Sequence, residues 1–211
     1  MKNKVIIFDM DGVIFDSIGF AMENFFKAVY PDFTFEIYKE LLCGNVHEEI
    51  RKINLSRKVE TDKERDIRRE KYSEAKSKIP MFDGIKEFLE NLNKSGYILV
   101  INTSAINKNC LPVLEYSKSI NLFDLIAGAE LSESKVEKFK IIQEKYKADK
   151  KDMLFVTDTL GDVREADVAG ISTIAVTWGA HDESFFEREK HSNLIGIVNT
   201  VEELDKFIRK Y

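Results

Sequence analysis

Four apolar residues without a polar interruption, Val5–Phe8, stand near the start of the chain, and similar runs recur at 98–101, 125–127, 153–156 and 171–176. Short runs of this kind suit strands buried on both faces, as in a parallel sheet. From about residue 84 they alternate with stretches of helical periodicity, so the pattern predicts an α/β fold, a Rossmann-like parallel sheet with flanking helices. Asp83 is placed to cap a helix that carries Ile85, Phe88, Leu89 and Leu92 and ends near Gly96. Ser134 with Glu137, and Thr200 with Glu203, match the capping box that opens a helix. The helix expected after Ser104 has Pro112 in its interior, which predicts a kink.

Residues 17–79 follow another pattern. Ile18, Ala21, Met22, Phe25, Phe26 and Val29 form one helical stripe that Pro31 stops, and the segments after it also read as helices with no strand between them. The stretch 61–78 is densely charged with few apolar anchors, which predicts a solvated helix packed by one narrow face. An α-helical insertion over 17–79 is therefore expected after the first strand, leaving 1–16 and 80–211 to the sheet.

Composition narrows the classes of partner. The chain has 211 residues, enough for one α/β domain with a modest insertion. Its formal charge of -5 is spread without a basic stripe, so nucleic acid is not an expected partner. The apolar run after Lys2 and Lys4 is too short for a signal peptide, and no stretch approaches a membrane span. Cys43 and Cys110 lie far apart without a partner motif and read as buried thiols of a cytoplasmic protein.

The strand exits carry the candidate chemistry. In open α/β sheets, sites form beyond the carboxyl ends of the strands. The first run leads into Asp9, Met10, Asp11 and Gly12, two acids that repel unless a cation or a shared proton separates them. The second leads into Asn102, Thr103 and Ser104, with hydroxyls and backbone N–H groups suited to phosphate oxygens. Lys135 opens a helix, where a cation opposes the helix dipole, as it would if it faced an anion; Lys138, one turn on, is the competing candidate. The fourth run leads into Asp158 and Asp162. Four carboxylates at the ends of two strands predict a divalent cation, and all-oxygen ligands favour Mg²⁺ over zinc.

Taken in order, Asp-x-Asp-Gly, a Thr at the second strand end, a Lys before a helix and Asp-x-x-x-Asp after a later strand resemble the four motifs of the haloacid dehalogenase superfamily, over Val5 to about Gly179. The helical insertion resembles that family's small α-helical cap. The resemblance, to the phosphoglycolate phosphatase and β-phosphoglucomutase group, implies Asp9 as nucleophile and Asp11 as general acid/base. It implies Thr103 and Lys135 as phosphate-binding residues, beside which Ser104 of the same strand exit is a further candidate, and Asp9, Asp11, Asp158 and Asp162 as the Mg²⁺ site. The chain departs from that group at Thr157, where many relatives have Gly, and in lacking Pro-x-Pro after Lys135. A Mg²⁺-dependent phosphatase acting on a small phosphorylated metabolite through an aspartyl-phosphate is the expectation. A phosphosugar mutase is the closest alternative, and a non-catalytic Mg²⁺ or phosphometabolite-binding protein a further one. Retention of Asp11 disfavours a dehalogenase. In the insertion, Asn45, His47 and Arg51 follow Gly44, with His47 and Arg51 on one helix face, as candidate specificity residues.

Overall fold

The apolar runs become the centre of one sheet. The computed structural model describes residues 4–211. After β1 (Val5–Phe8) come α1 (Ile18–Ala21) and α2 (Lys27–Val29), joined by a π-helical turn at Met22–Phe26, then α3 (Phe35–Leu41), α4 (Val46–Lys52) and α5 (Asp62–Lys76). Helices and strands then alternate: α6 (Ile85–Lys94), β2 (Ile98–Asn102), α7 (Asn107–Tyr116), β3 (Leu125–Ala127), α8 (Lys135–Tyr146), β4 (Met153–Thr157) and α9 (Leu160–Ala169). β5 (Ser172–Val176), α10 (Glu183–Phe186), β6 (Leu194–Val198) and α11 (Val201–Lys210) complete the chain. All six strands are parallel, in the order β3-β2-β1-β4-β5-β6.

Side chains alternate across a strand, so the unbroken apolar runs feed two cores. Ile6, Phe8, Leu154 and Val156 face α6, α7 and α11, where Phe88, Leu89, Val113, Leu114, Leu204 and Ile208 cover them. Val5, Ile7, Met153 and Phe155 face Phe139 and Ile142 of α8 and Ala166 and Ala169 of α9. Each such side chain contributes about 1.5–3 kcal/mol of transfer free energy, which explains why no polar residue interrupts the central strands.

Two local details differ from the sequence expectations. Gly84, at φ +78°, rather than Asp83, occupies the N-cap of α6, and no side chain caps that helix. β6 was not expected, because Gly196 breaks its apolar run and reads as a turn signal. α7 runs through Pro112. A proline leaves the carbonyl four residues earlier without its helical donor; here that carbonyl, of Lys108, accepts from Ser73 Oγ of α5 at 3.0 Å.

The stretch between β1 and β2 contains helices and builds its own core from Ile18, Ala21, Phe26, Phe33, Tyr38 and Leu41, with Phe26 and Phe33 stacked at 4.9 Å. Where the chain leaves and rejoins the sheet it runs side by side, the Asp16 N–H donating to Pro80 O at 3.1 Å. Among the described residues no helix is long and apolar enough to cross a membrane.

Candidate active site

β1 lies between β2 and β4, with Phe8 level with both Ile101 and Val156. That register brings the exits of three strands together: Asp9 and Asp11 after β1, Thr103 after β2, Asp158 after β4. The Asp9 N–H donates to Val156 O at 2.9 Å. The gap between β1 and β4, where the strand order reverses, is the topological switch point at which such sheets bind ligands.

Lys135 stands at the centre. Its Nζ is 2.9 Å from Asp9 Oδ1 and 2.5 Å from Asp162 Oδ2, and the side chain is buried. Burial opposes its charge, but Asp162 and Asp9 outweigh this and hold its pKa above the usual lysine value. Burial pushes the Asp9 carboxyl up to about 6, with Lys135 pulling against it. Asp162 also accepts from Thr157 Oγ1 at 2.7 Å. Glu165 accepts from the Lys135 N–H at 2.8 Å, placing an acid where the helix dipole favours one. Lys138 is buried beside it, yet its Nζ donates to Thr103 O at 2.7 Å, and burial with repulsion from Lys135 lowers its pKa to about 8. Of the two lysines, Lys135 faces the Asp9 carboxylate.

Asp11 is held on both oxygens. Ser17 Oγ donates to Oδ1 at 2.5 Å, and Lys76 Nζ, from the last turn of α5, donates to Oδ2 at 2.8 Å. Lys76 is 3 % exposed; burial disfavours its charge, and Asp11 more than compensates. Sequence reasoning missed Lys76, since it is one lysine among many in a charged helix. It also missed Ser17.

Asp158 is cradled by backbone. Its Oδ2 accepts from the Ala180 N–H at 2.7 Å, and a Cβ on Gly12 or Gly179 would lie 2.0 or 2.3 Å from that oxygen. Gly12 also has φ +81°, so both its geometry and its space call for glycine. Oδ1 is buried with no hydrogen-bond partner among the described residues. Burial raises this carboxyl well above its usual value, and the nearby Asp9 adds to the effect. A buried, unpartnered carboxylate oxygen beside a second carboxylate suits a hard divalent cation. No three His, Cys, Asp or Glu side chains among the described residues are gathered to hold a metal by themselves. Asp11 is held on both oxygens and Asp162 by Lys135 and Thr157 together, whereas Lys135 meets Asp9 on Oδ1 alone, so a cation here would draw on Asp9 and Asp158 and complete its shell with carbonyl or water oxygens, as Mg²⁺ commonly does.

Thr103 is buried, with its Oγ1 accepting from the Ala105 N–H at 3.1 Å, and Ser104 is half-buried at the rim. There the helical insertion meets the sheet domain. His47 Nε2 is 3.1 Å from Ser104 O, Arg51 pairs with Glu133 at 2.9 Å, and Asn45 Nδ2 reaches Glu133 O and Glu165 at 3.1–3.2 Å. All three candidates touch the sheet domain. A groove lined by Phe20, Lys58, Arg68 and Tyr72 lies on the insertion and includes none of the four aspartates.

Gly161, in the first turn of α9, accepts the insertion's turn directly. A Cβ there would lie 2.3 Å from Gly44 O and 2.8 Å from Leu42 O. Gly161→Ala should therefore push that turn off the sheet domain and destabilise the protein by about 1–3 kcal/mol, the usual range for overpacking. A denaturant midpoint equal to wild type would contradict the contact.

The family model described as haloacid dehalogenase-like hydrolase matches residues 6–176. A phosphoglycolate phosphatase of Vibrio parahaemolyticus is 25% identical over 192 residues, spanning 83% of this chain and 84% of that protein. The tyrosine-protein kinase PtkA of Mycobacterium tuberculosis is 24% identical over 208 residues, spanning 95% of this chain and 71% of the kinase. Among solved structures, CbbY from Rhodobacter sphaeroides, in complex with phosphate, superposes with a TM-score of 0.74 at 19% identity, covering 95% of this chain and 96% of that one. At that identity the likeness is one of fold.

Proposed function

Because the chain belongs to the haloacid dehalogenase-like hydrolases, we propose that it is a Mg²⁺-dependent phosphatase that hydrolyses a small phosphomonoester through an aspartyl-phosphate. One observation carries the reading: Asp9 and Asp158 meet from adjacent strand ends, with the buried Lys135 ammonium 2.9 Å from the Asp9 carboxylate. A carboxylate attacks a phosphate dianion only where negative charge is neutralised. Mg²⁺ bound by Asp9, Asp158 and the Asp11 carbonyl, with Asp162 nearby, would supply that neutralisation together with Lys135.

In this reading Asp9 attacks phosphorus in line, forming its acyl-phosphate bond as the bond to the leaving oxygen breaks. Thr103, Ser104 and Lys135 hold the phosphoryl oxygens. Asp11 protonates the leaving oxygen, then takes a proton from the water that hydrolyses the intermediate, a role typically worth ~10²–10⁴ in rate. Its ion pair with Lys76 must open, or be shared with the substrate, before Asp11 carries that proton. Residues 17–79 act as a cap over a core of 1–16 and 80–211, excluding bulk water during transfer. Asn45, His47 and Arg51 act on substrate preference from the rim. Two free, buried cysteines fit a reducing cytoplasm.

A panel of phosphomonoesters with phosphoglycolate first, assayed for phosphate release with and without chelator, tests the reading. Release from at least one compound, abolished by chelation and restored by Mg²⁺, is expected. Full activity in chelator would rule out the metal. Isomerisation of a phosphosugar without phosphate release would point to transfer onto a sugar hydroxyl.

A further inference from the structure

The C-terminus of α3 meets the sheet domain through its backbone. Carbonyls in a helix's last turn lack partners within the helix, and here donors of the sheet domain supply them. Lys39 O accepts from His181 Nε2 at 2.8 Å, Leu42 O accepts from the Gly161 N–H at 3.0 Å, and Cys43 O accepts from Arg164. His181 is fully buried, and its ring lies flat on Phe185 at 4.1 Å. Its Nδ1 accepts from the Leu160 N–H at 2.9 Å, which assigns the ring proton to Nε2, the donor to Lys39. Its own backbone N–H donates to Asp158 O at 3.2 Å, next to the Ala180 N–H that holds Asp158 Oδ2.

One ring thus joins the last turn of α3, the first turn of α9 that carries Asp162, and the loop that cradles Asp158. None of the catalytic or binding roles assigned above uses it. We propose that His181 is a positioning residue that couples seating of the helical insertion to the placement of Asp158 and Asp162; the inference rests on the metal-dependent reading of the site. When Lys39 O is seated on Nε2, the ring plane is set and Nδ1 holds the first amide of α9. When the insertion lifts, a buried donor loses its acceptor, and the ring is free to turn away from Leu160.

Two amide substitutions separate the two bonds. His181→Asn places an oxygen near the position of Nδ1 and falls short of Lys39, whereas His181→Gln reaches toward Lys39 and gives up the acceptor for Leu160. With Mg²⁺ as the calorimetric probe, the Gln variant is expected to bind roughly tenfold more weakly, and the Asn variant within about twofold of wild type, as for loss or retention of an outer-shell hydrogen bond. With p-nitrophenyl phosphate at saturating Mg²⁺, KM should rise roughly tenfold in the Asn variant, with kcat little changed, for loss of one buried hydrogen bond that favours closure. In amide exchange of the metal-free protein, 42–44 should exchange faster in the Asn variant and 160–162 faster in the Gln variant. Variants that behave alike in all three measurements, that match wild type, or that both fail to fold would overturn the coupling and leave the ring a packing element. Wild-type protein that binds no Mg²⁺ would overturn the metal reading instead, and amide exchange would then decide whether the two turns are coupled.

Discussion

Asp9→Asn should lose phosphate release by about 10⁴-fold or more, the scale on which removal of a nucleophile acts. The amide neither attacks phosphorus nor offers a charged oxygen to the metal, while its shape leaves β1 and its neighbours in place. Stability should move the other way. The carboxyl is raised from 3.8 to about 6 by burial, opposed by Lys135. A carboxyl raised by folding contributes fully below its unfolded pKa and loses that contribution as pH rises through the folded one. Wild type should therefore match the Asn variant near pH 3.5 and fall behind it through pH 4–6, by on the order of 3 kcal/mol without metal above pH 7. Thermal melts across that range in chelator check the sign. A stability gap that closes as pH rises, or turnover near wild type in a clean preparation, would sink the assignment.

Lys135→Ala should damage fold and chemistry together. Removing the ammonium leaves Asp9 and Asp162 facing each other in a buried site, where each had a lysine contact at 2.9 and 2.5 Å. Breaking one partner out of a buried ionic cluster typically costs about 3–5 kcal/mol, or a Tm lower by about 10 °C in a protein of this size. Mg²⁺ should recover part of that loss by binding the same carboxylates, while turnover stays low because, in the proposed mechanism, the phosphoryl oxygens lose their fixed cation. Lys138→Ala is the control. Its ammonium donates to Thr103 O and faces neither carboxylate, so it should affect stability more than the Mg²⁺ response. Equal Mg²⁺ rescue of the two variants would contradict the division of labour between these lysines.

The strand exits were legible because a strand buried on both faces must be apolar throughout, so the first acid after it marks the exit. Asp9 and Asp158 could be placed at the end of a sheet from sequence because Asp9 follows four apolar residues directly and Asp158 follows four with only Thr157 between. The helical character of 17–79 was equally local, carried by the stripe from Ile18 to Val29 and the stop at Pro31. The family resemblance came from the same short strings and agrees with the match over residues 6–176.

What the chain's local pattern left open depends on contacts between residues far apart in sequence. Lys135 and Lys138 share a helix face and a residue type; the packing of α8 against β1 and β2 sends one to Asp9 and the other to Thr103 O. The placement of the Asp158 carboxylate depends on glycines 146 positions before and 21 after it, whose missing side chains make room for it. Lys76 sits in a charge run that reads as surface, and its buried ammonium is offset by Asp11, which meets it there. His181 carries no sequence signal, since its two partners, the Lys39 carbonyl and the Leu160 amide, are backbone groups that every residue possesses. Hydrophobic periodicity is written residue by residue along a strand or helix. A buried charge or imidazole is stable only where distant partners offset its desolvation, and those partners are assembled by the packed fold.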